Sequence, residues 1–251
     1  MKNEHQFGKD FEQQYIQVRT LENRVYSDHI VQKLPNLEAN HPQCNEWQIR
    51  KSNAEKFANY ISKKDLKNIL EIGCGNGWFT HFMAKKTEAK LIGLDINNVE
   101  LKQAKRLFNR ENIKFVHGNI FDLTFENKFD LIVFNASIQY FPDIPILINT
   151  LKTMLSDYGE IHILDTFFYD DDKAKQIASD NTKKYYQNMG QENMIQYYFH
   201  HKKSDLFQFE IMNPIKSKVL SFLKRKKIHF PWYRWSKTSN LLKPKTNVRS
   251  V

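Results

Sequence analysis

The chain has few cysteines and no long apolar run, and both absences limit what it can be. Only two cysteines, Cys44 and Cys74, occur in 251 residues, so the sequence indicates neither a disulfide framework nor a thiolate metal site. We accordingly predict no bound metal. No stretch approaches the roughly 18 consecutive apolar residues of a membrane-spanning helix, and the first residues lack the apolar core of a signal peptide. We therefore expect a cytoplasmic protein.

Acidic residues are missing from the C-terminal part of the chain. Residues 211–251 hold 11 of the 38 Lys and Arg residues and none of the 28 Asp and Glu residues. The rest of the chain is therefore close to neutral, and this segment supplies the net charge of +10. A basic segment of this kind favours an anionic partner, either a membrane surface or a nucleic acid.

The most informative stretch is a glycine-rich turn between two apolar runs. Residues 68–72 read NILEI, which suits a buried parallel strand, and the letters GCGNG follow directly. Gly73, Gly75 and Gly77 can adopt positive φ angles and let a ligand approach the backbone closely. The second apolar run, LIGLD, ends in Asp95. A strand, a glycine turn, a helix start and a strand ending in a carboxylate together predict a nucleotide-type site.

The spacing of the glycines separates two kinds of site. A dinucleotide-binding turn reads GxGxxG, whereas this chain reads ExGxGxG from Glu71 to Gly77, and position 78 is Trp. The ExGxGxG string, with Asp95 closing the next strand, resembles motif I and the acidic loop of class I S-adenosylmethionine-dependent methyltransferases. The alternative is a glycine turn in another α/β protein, such as a dehydrogenase, which an NADH titration would detect.

The resemblance continues in order along the chain and covers about residues 66–166. It implies an α/β fold with a doubly wound, seven-stranded, mostly parallel sheet, the Rossmann-like fold of the class I family. The matching segments are a third strand at 113–117, an adenine-side loop at 118–123, a fourth strand at 129–134 with 135–141 at its carboxyl end, a helix at 146–155 and a fifth strand at 160–165.

We expect one compact domain with three parts. Residues 1–65 form an N-terminal helical cap, residues 66–166 the S-adenosylmethionine-binding core, and residues 167–251 a C-terminal substrate-side extension with a basic tail. Phe11, Tyr15 and Val18 form a helical stripe in the cap. In the extension, the sequence patterns predict helices at 170–186 and 191–200, and an antiparallel pair of strands at 207–212 and 229–235.

The resemblance implies a task for each residue at the adenosine end of the cofactor. Asp95 would accept hydrogen bonds from both ribose hydroxyls, and Ile96 would pack on the adenine face. Asn119 stands where the family usually carries Asp, so it would accept from the adenine amine through an uncharged carbonyl oxygen. The backbone from Gly73 to Gly75 would lie against the ribose and the methionine portion.

At the methionine end, the carbonyl of Asn135 would receive the ammonium group and Arg50 would receive the carboxylate. Glu71 would help to orient the turn and the amino group. The residues predicted to bind the cofactor are Arg50, Glu71, Gly73, Cys74, Gly75, Gly77, Asp95, Ile96, Asn119, Ile120 and Asn135.

Methyl transfer from a sulfonium is an in-line displacement, so alignment of the acceptor is the main requirement. A general base is needed only if the acceptor loses a proton, and the candidates are Tyr140, His200 and His201, with a packing role as the alternative for each. Enzymes that methylate nucleobase amines often carry an Asn/Asp-Pro-Pro-Tyr/Phe clamp after the fourth strand. Residues 135–138 read NASI instead, which argues against a base-amine acceptor.

Residues 214–228 carry apolar residues at helical spacing among lysines and an arginine, and aromatic residues follow up to position 235. This pattern is typical of an amphipathic helix at an anionic membrane, so we expect peripheral contact of 214–235 with the inner membrane surface. The alternatives are packing of the apolar stripe on the domain, and binding of RNA phosphates and bases.

These observations predict a methyltransferase that uses S-adenosyl-L-methionine and acts on a small-molecule or lipid-linked acceptor. The second interpretation is an RNA methyltransferase that uses the basic aromatic tail, although the chain contains no recognised RNA-binding module. The third is a catalytically silent module that binds the cofactor. The sequence leaves the identity of the acceptor and the oligomeric state open.

Overall fold

The fold is built on a central β-sheet, which the computed structural model describes together with its helices over residues 4–213 and 230–237. In this part of the chain the strands are β1 (Asn68–Ile72), β2 (Lys90–Asp95), β3 (Ile113–His117), β4 (Phe129–Asn135), β5 (Leu155–Leu164), β6 (Glu210–Ile211) and β7 (Trp232–Ser236). The α-helices are α1 (Glu4–Leu21), α2 (Asp28–Lys33), α3 (Cys44–Ile61), α4 (Trp78–Ala84), α5 (Asn98–Leu107), α6 (Ile144–Met154) and α7 (Asp172–Asn188). Short 3₁₀ helices cover Ile138–Tyr140, Glu192–Tyr197 and Lys203–Asp205.

The sheet has seven strands in the order β3-β2-β1-β4-β5-β7-β6. Strands β1 to β5 are parallel to one another, while β7 is antiparallel to both β5 and β6. This arrangement confirms the predicted doubly wound α/β fold. The strand order reverses at β1, so the carboxyl ends of β1, β2 and β4 lie side by side, where open α/β sheets bind their ligands.

Apolar side chains of the strands point to both faces of the sheet, and helices cover both faces. On one face, Leu131 of β4 belongs to a cluster with Phe57 of α3 and Phe79 of α4. On the other face, its neighbour Ile132 belongs to a cluster with Leu147 of α6. Leu131 and Ile132 are fully buried, as expected of a central parallel strand.

Helix α1 lies near the carboxyl ends of the strands and packs on the C-terminal part of the chain. Phe11 and Val18 from the predicted stripe are buried together with Tyr186 of α7 and Tyr197 of the following 3₁₀ helix. The ring of Phe11 also meets that of Tyr140, just beyond β4, edge to face with centroids 5.3 Å apart. This packing places the helix beside the edge of the sheet where a ligand would bind.

Three predicted elements differ from the structure. The helix predicted at 191–200 is a 3₁₀ helix, Glu192–Tyr197, and Tyr198 is already extended; the backbone N–H of Phe199 donates to the carbonyl of Gln139, 2.8 Å away. The strand predicted at 207–212 has only two residues, but its antiparallel pairing with β7 is confirmed. Strand β5 begins at Leu155, earlier than predicted, and its register with β4 shifts between Phe129 and Leu131.

The predicted amphipathic helix at 214–228 lies outside the described residues, so its structure and its membrane contact stay predictions. Among the helices that are described, none combines the length and the apolar character needed to cross a bilayer.

Candidate active site

The glycine turn adopts the geometry that the sequence predicts. Gly73, Gly75 and Gly77 have φ angles of 75°, 51° and 76°. At Gly73 the space is also restricted, because a Cβ atom there would lie 2.4 Å from the Cβ of Ser137. Ser137 is held in place by a hydrogen bond from its hydroxyl to the carbonyl of Ile72, 2.6 Å away. The absence of a side chain at Gly73 therefore allows the loop after β4 to pack against the turn.

Asp95 joins the glycine turn to the end of β2. Its Oδ2 accepts the backbone N–H of Gly75 at 2.6 Å, and its Oδ1 accepts that of Asn97 at 2.7 Å. Burial raises the pKa of this carboxyl, while these backbone hydrogen bonds lower it. The two carboxylate oxygens together offer about four acceptor positions, so these backbone hydrogen bonds leave capacity for a ribose hydroxyl.

A cavity of about 1070 Å³ opens beside Asp95. Ligand cavities commonly measure roughly 300–1,000 Å³, so this one has room for a cofactor and for part of an acceptor. The predicted residues Ile96, Asn119 and Ile120 line it. Phe121 and Phe141 also line it, and their rings pack edge to face with centroids 6.3 Å apart. The remaining lining residues are Lys9, Phe11, Glu12, Tyr15, Ile72, Gly73, Gly75, Leu94, Asn97, Asn98, Glu100, His117, Gly118, Asp122, Ala136, Ser137, Tyr140 and Pro142.

Asn119 keeps part of its hydrogen-bonding capacity for a ligand. Its Oδ1 accepts the backbone N–H of Phe121 at 3.2 Å, which uses one of the two acceptor positions of the amide oxygen. The second position can accept from an amine. The predicted contact to the adenine amine is therefore compatible with this geometry.

A second pocket, of about 100 Å³, also borders the glycine turn, and three arginines are among the residues that line it. Arg24 and Arg50 share the carboxylate of Glu46, at 2.5 and 2.9 Å. Arg19 binds Glu22 at 2.9 Å. These guanidinium groups are fixed by their ion pairs and can donate hydrogen bonds to an anionic ligand group such as a carboxylate.

Two of these arginines, Arg19 and Arg24, were not predicted from the sequence. Arg19 follows Tyr15 by one helical turn, and its guanidinium lies 5.0 Å from the centre of that ring. The helical stripe that contains Tyr15 was the available signal, because it fixed which face of α1 turns toward the site. Arg50 was predicted, and it lines this pocket together with Asn135.

The predicted residues Glu71 and Cys74 also line the smaller pocket. The carboxyl of Glu71 accepts a hydrogen bond from the hydroxyl of Thr80, and burial raises the pKa of Glu71 to about 8 in spite of this bond. Burial likewise raises the pKa of the Cys74 thiol. Cys74 is therefore a neutral wall residue at physiological pH, in line with its interpretation as a small residue beside the ligand.

The loop after β4 holds a strained residue against both cavities. Ala136 has a φ of 54°, which is rare for a residue with a side chain. Its N–H donates to the carbonyl of Leu164 at 3.0 Å, and its carbonyl accepts from Nε2 of Gln139 at 2.6 Å. The hydroxyl of Thr166 donates to Oε1 of Gln139 at 3.1 Å, which fixes the amide. Such strain is typical of functional sites, and the sequence gives no signal for it.

Of the three residues predicted as general bases, only Tyr140 lies at the cavity. Its ring is surrounded by those of Phe11, Tyr15 and Tyr198, with centroids 5.3 to 5.8 Å away. Burial raises the pKa of Tyr140, so its phenol stays protonated at neutral pH. It can pack on a ligand or donate a hydrogen bond, but it is poorly suited to accept a proton.

His200 and His201 do not line either cavity. The ring nitrogens of His200 lie 3.2 Å from the Tyr169 hydroxyl and 2.9 Å from the Thr182 hydroxyl. His201 is buried beside Phe168, and its carbonyl accepts the N–H of Tyr169. These contacts connect the segment after the 3₁₀ helix Glu192–Tyr197 to the segment that follows β5. The structure therefore does not bring the two histidines to the site.

In sequence, this chain is similar to known methyltransferases. Residues 63–227 match a family model described as "Methyltransferase domain". A malonyl-[acyl-carrier protein] O-methyltransferase of Priestia megaterium is 30% identical over 117 residues, which cover 45% of this chain and 43% of that protein. A fatty-acid O-methyltransferase of Mycolicibacterium smegmatis is 30% identical over 95 residues, which cover 37% of this chain and 35% of that protein. The matched part thus spans less than half the length of these curated relatives.

Solved structures show the same fold over more of the chain. The plantazolicin methyltransferase BpumL in complex with SAH has a TM-score of 0.54 and 18% identity, and the match covers 93% of this chain and 98% of that one. The N-methyltransferase NodS from Bradyrhizobium japonicum has a TM-score of 0.52 and 17% identity, with 80% and 98% covered. At these identities the likeness is one of fold.

Proposed function

This chain belongs to the class I S-adenosylmethionine-dependent methyltransferase family, and we propose that it transfers a methyl group to an oxygen of a small-molecule, lipid-linked or carrier-linked acyl acceptor. S-Adenosyl-L-methionine is the cofactor of this family. When bound, it supplies an electrophilic methyl group on a sulfonium that is already a good leaving group. The residues of the chain have to bind it, orient it and align the acceptor.

The observation that carries the proposal is the pair of cavities that meet at the glycine turn. Asp95 lines the larger cavity with acceptor capacity for a ribose hydroxyl, and Ile96 and Asn119 line the same cavity. Arg19 and Arg50 stand in the smaller pocket, where they would receive the methionine carboxylate. The larger cavity therefore offers groups that suit the adenosine end of the cofactor, and the smaller pocket offers groups that suit its methionine end.

Helix α1 would complete the site and exclude water from it. Phe11 and Tyr15 reach the cavity from this helix and pack on Tyr140, and Arg19 follows on the same helix in the smaller pocket. A closed site can hold the acceptor oxygen in line with the methyl group. Such alignment contributes on the order of 7–11 kcal/mol to lowering the barrier of a displacement.

The acyl acceptor is proposed from the relatives and from the chemistry of the cavity wall. Both curated relatives described above are named for O-methylation of acyl compounds. A carboxylate acceptor is ionised at neutral pH and needs no general base. The raised pKa of Tyr140 is compatible with such a reaction, because the phenol is not required to remove a proton.

The proposal is tested by a transfer assay with S-adenosylmethionine labelled on its methyl group. Acceptors are fatty acids of several lengths, malonyl-acyl carrier protein and, for the competing interpretation, total RNA, with Asp95→Ala as the inactive control. We expect label in an ester of at least one acyl acceptor and none with Asp95→Ala. Label that enters only RNA would refute the acyl acceptor. Cofactor binding without transfer to any of these would instead favour the silent module.

A further inference from the structure

We infer that Glu100 is a specificity-determining residue through which the site binds S-adenosylmethionine, with its sulfonium charge, more tightly than the neutral thioether product S-adenosylhomocysteine. The inference rests on the cofactor placement proposed above. It adds a role for a residue that the motif did not identify, and it concerns product release as well as binding.

Glu100 lies where the two cavities meet. Five residues line both cavities, namely Tyr15, Gly73, Gly75, Glu100 and Ala136. The cofactor's sulfur joins its ribose to its methionine portion, so a cofactor that spans both cavities carries its sulfur at this junction. Glu100 is the only carboxylate among these five residues.

Local structure explains why the Glu100 side chain turns toward the junction. Asn97 is the N-cap of α5, and a glutamate three residues later usually accepts the backbone N–H of the N-cap residue. Here that N–H donates to Oδ1 of Asp95 at 2.7 Å instead. The carboxylate of Glu100 accepts only the side-chain amide of Asn97 among the hydrogen bonds described for it, at 3.2 Å.

The glycine turn leaves room for this carboxylate. A Cβ atom on Gly75 would lie 3.1 Å from Oε2 of Glu100, so the carboxylate sits directly over the backbone of the turn. A cation beside the turn therefore meets Glu100 at short range. Two unit charges in a partly buried site interact far more strongly than in water, so the sulfonium charge contributes to the affinity for the ligand.

The charge on Glu100 depends on pH near neutrality. Burial, together with the nearby charge of Asp95, raises the pKa of Glu100 to about 7, while Arg19 opposes this shift. Charged and titratable groups from several elements surround the junction. They are Asp95 at the end of β2, Glu71 in β1, Cys74 in the glycine turn, Tyr15 and Arg19 on α1, Arg24 just beyond α1, Arg50 on α3 and Tyr140 after β4. A cation at the junction favours the ionised form, so the preference for S-adenosylmethionine should increase as pH rises through 7.

The experiment is isothermal titration calorimetry of both ligands at pH 6, 7 and 8 with wild type, Glu100→Gln and Asp122→Asn. The two ligands carry the same ammonium and carboxylate groups, so the ratio of their dissociation constants isolates the sulfonium charge. Gln keeps the shape of Glu100 and its acceptor oxygen. Asp122→Asn removes a carboxylate from the adenosine end of the larger cavity and controls for net charge.

We expect Glu100→Gln to reduce the preference for S-adenosylmethionine on the order of tenfold at pH 8, and to abolish its rise with pH. Asp122→Asn should leave the ratio unchanged. An unchanged ratio in Glu100→Gln, with both ligands still bound, would overturn this inference and leave the cofactor site intact. If the wild type binds neither ligand, the proposed cofactor site and this inference both fail.

Discussion

The substitution Gly73→Ala tests whether the close contact between the glycine turn and the loop after β4 builds the cofactor site. Gly73 has a φ of 75°, and an added Cβ would lie 2.4 Å from the Cβ of Ser137. Gly190 offers a matched control, because its φ is 64° and an added Cβ would meet nothing within 4 Å. The two substitutions share the backbone strain and differ in the steric overlap.

The expected magnitudes follow from these two terms. A left-handed backbone costs an alanine about 1–2 kcal/mol, so Gly190→Ala should reduce the free energy of unfolding by about that amount. Gly73→Ala adds an overpacking cost of about 1–3 kcal/mol, because the hydrogen bond from Ser137 to Ile72 prevents an easy shift of the loop. The displaced loop carries Ala136, so we also expect at least about tenfold weaker binding of S-adenosylmethionine, which corresponds to 1.4 kcal/mol.

The assay combines urea denaturation with calorimetric titration of the cofactor for both variants. The double variant Gly73→Ala with Ser137→Gly provides a further check. It lacks the Cβ of Ser137 that the new side chain would meet, so it should regain part of the lost stability. Equal destabilisation by Gly73→Ala and Gly190→Ala would refute the steric argument. Wild-type cofactor affinity in Gly73→Ala would show that the contact does not shape the site.

Two further predictions concern regions away from the site. Glu160 is buried and accepts hydrogen bonds from Tyr60 at 2.7 Å, Lys64 at 2.9 Å and Nε of Arg234 at 2.9 Å. Burial acts to raise the pKa of Glu160, but its contacts with His162, Tyr60 and Lys64 outweigh burial and lower it. The ionised Glu160 therefore contributes its full stabilisation above the pKa of a glutamate in the unfolded chain, near 4.3, and this stabilisation is lost as pH falls through the lower folded pKa. Glu160→Gln should lower the free energy of unfolding by about 3–5 kcal/mol at pH 7, measured by urea denaturation, and by less at acid pH. A cost that does not depend on pH would contradict this account. For the basic tail, we expect the full chain to co-sediment with vesicles of anionic lipid. A variant in which Lys224, Arg225, Lys226 and Lys227 are replaced by Gln should lose most of that binding, and it keeps β7 in the sheet. Equal co-sedimentation of the two would refute the membrane contact.

Local sequence patterns predicted most of the fold. The apolar runs at β1, β2 and β4 suit buried parallel strands, and the three glycines of GCGNG can adopt the positive φ angles that the turn has. The helix predicted at 191–200 was wrong because the backbone N–H of Phe199 is recruited by Gln139, a partner some sixty residues away along the chain. Periodicity carries no information about such a partner.

The relative positions of the candidate site residues follow from the sequence where one motif contains them, and do not where distant segments meet. Asp95 and Gly73 belong to one strand-turn-helix unit, so their spacing fixed their arrangement. Arg19 and Arg24 come from and just beyond α1, and their convergence with Arg50 depends on how the N-terminal helices pack. The position of Glu100 depends on Asp95 taking over its usual capping contact, a local competition that the sequence alone does not reveal.

The cofactor site is the central claim, and direct titration of S-adenosylmethionine into the wild type and into Asp95→Ala tests it. We expect saturable binding by the wild type with one site per chain. We expect severe weakening in Asp95→Ala, because the ribose hydroxyls lose their acceptor and the N–H groups of Gly75 and Asn97 lose theirs. Absence of binding by the wild type, or equal binding by Asp95→Ala, would contradict the account.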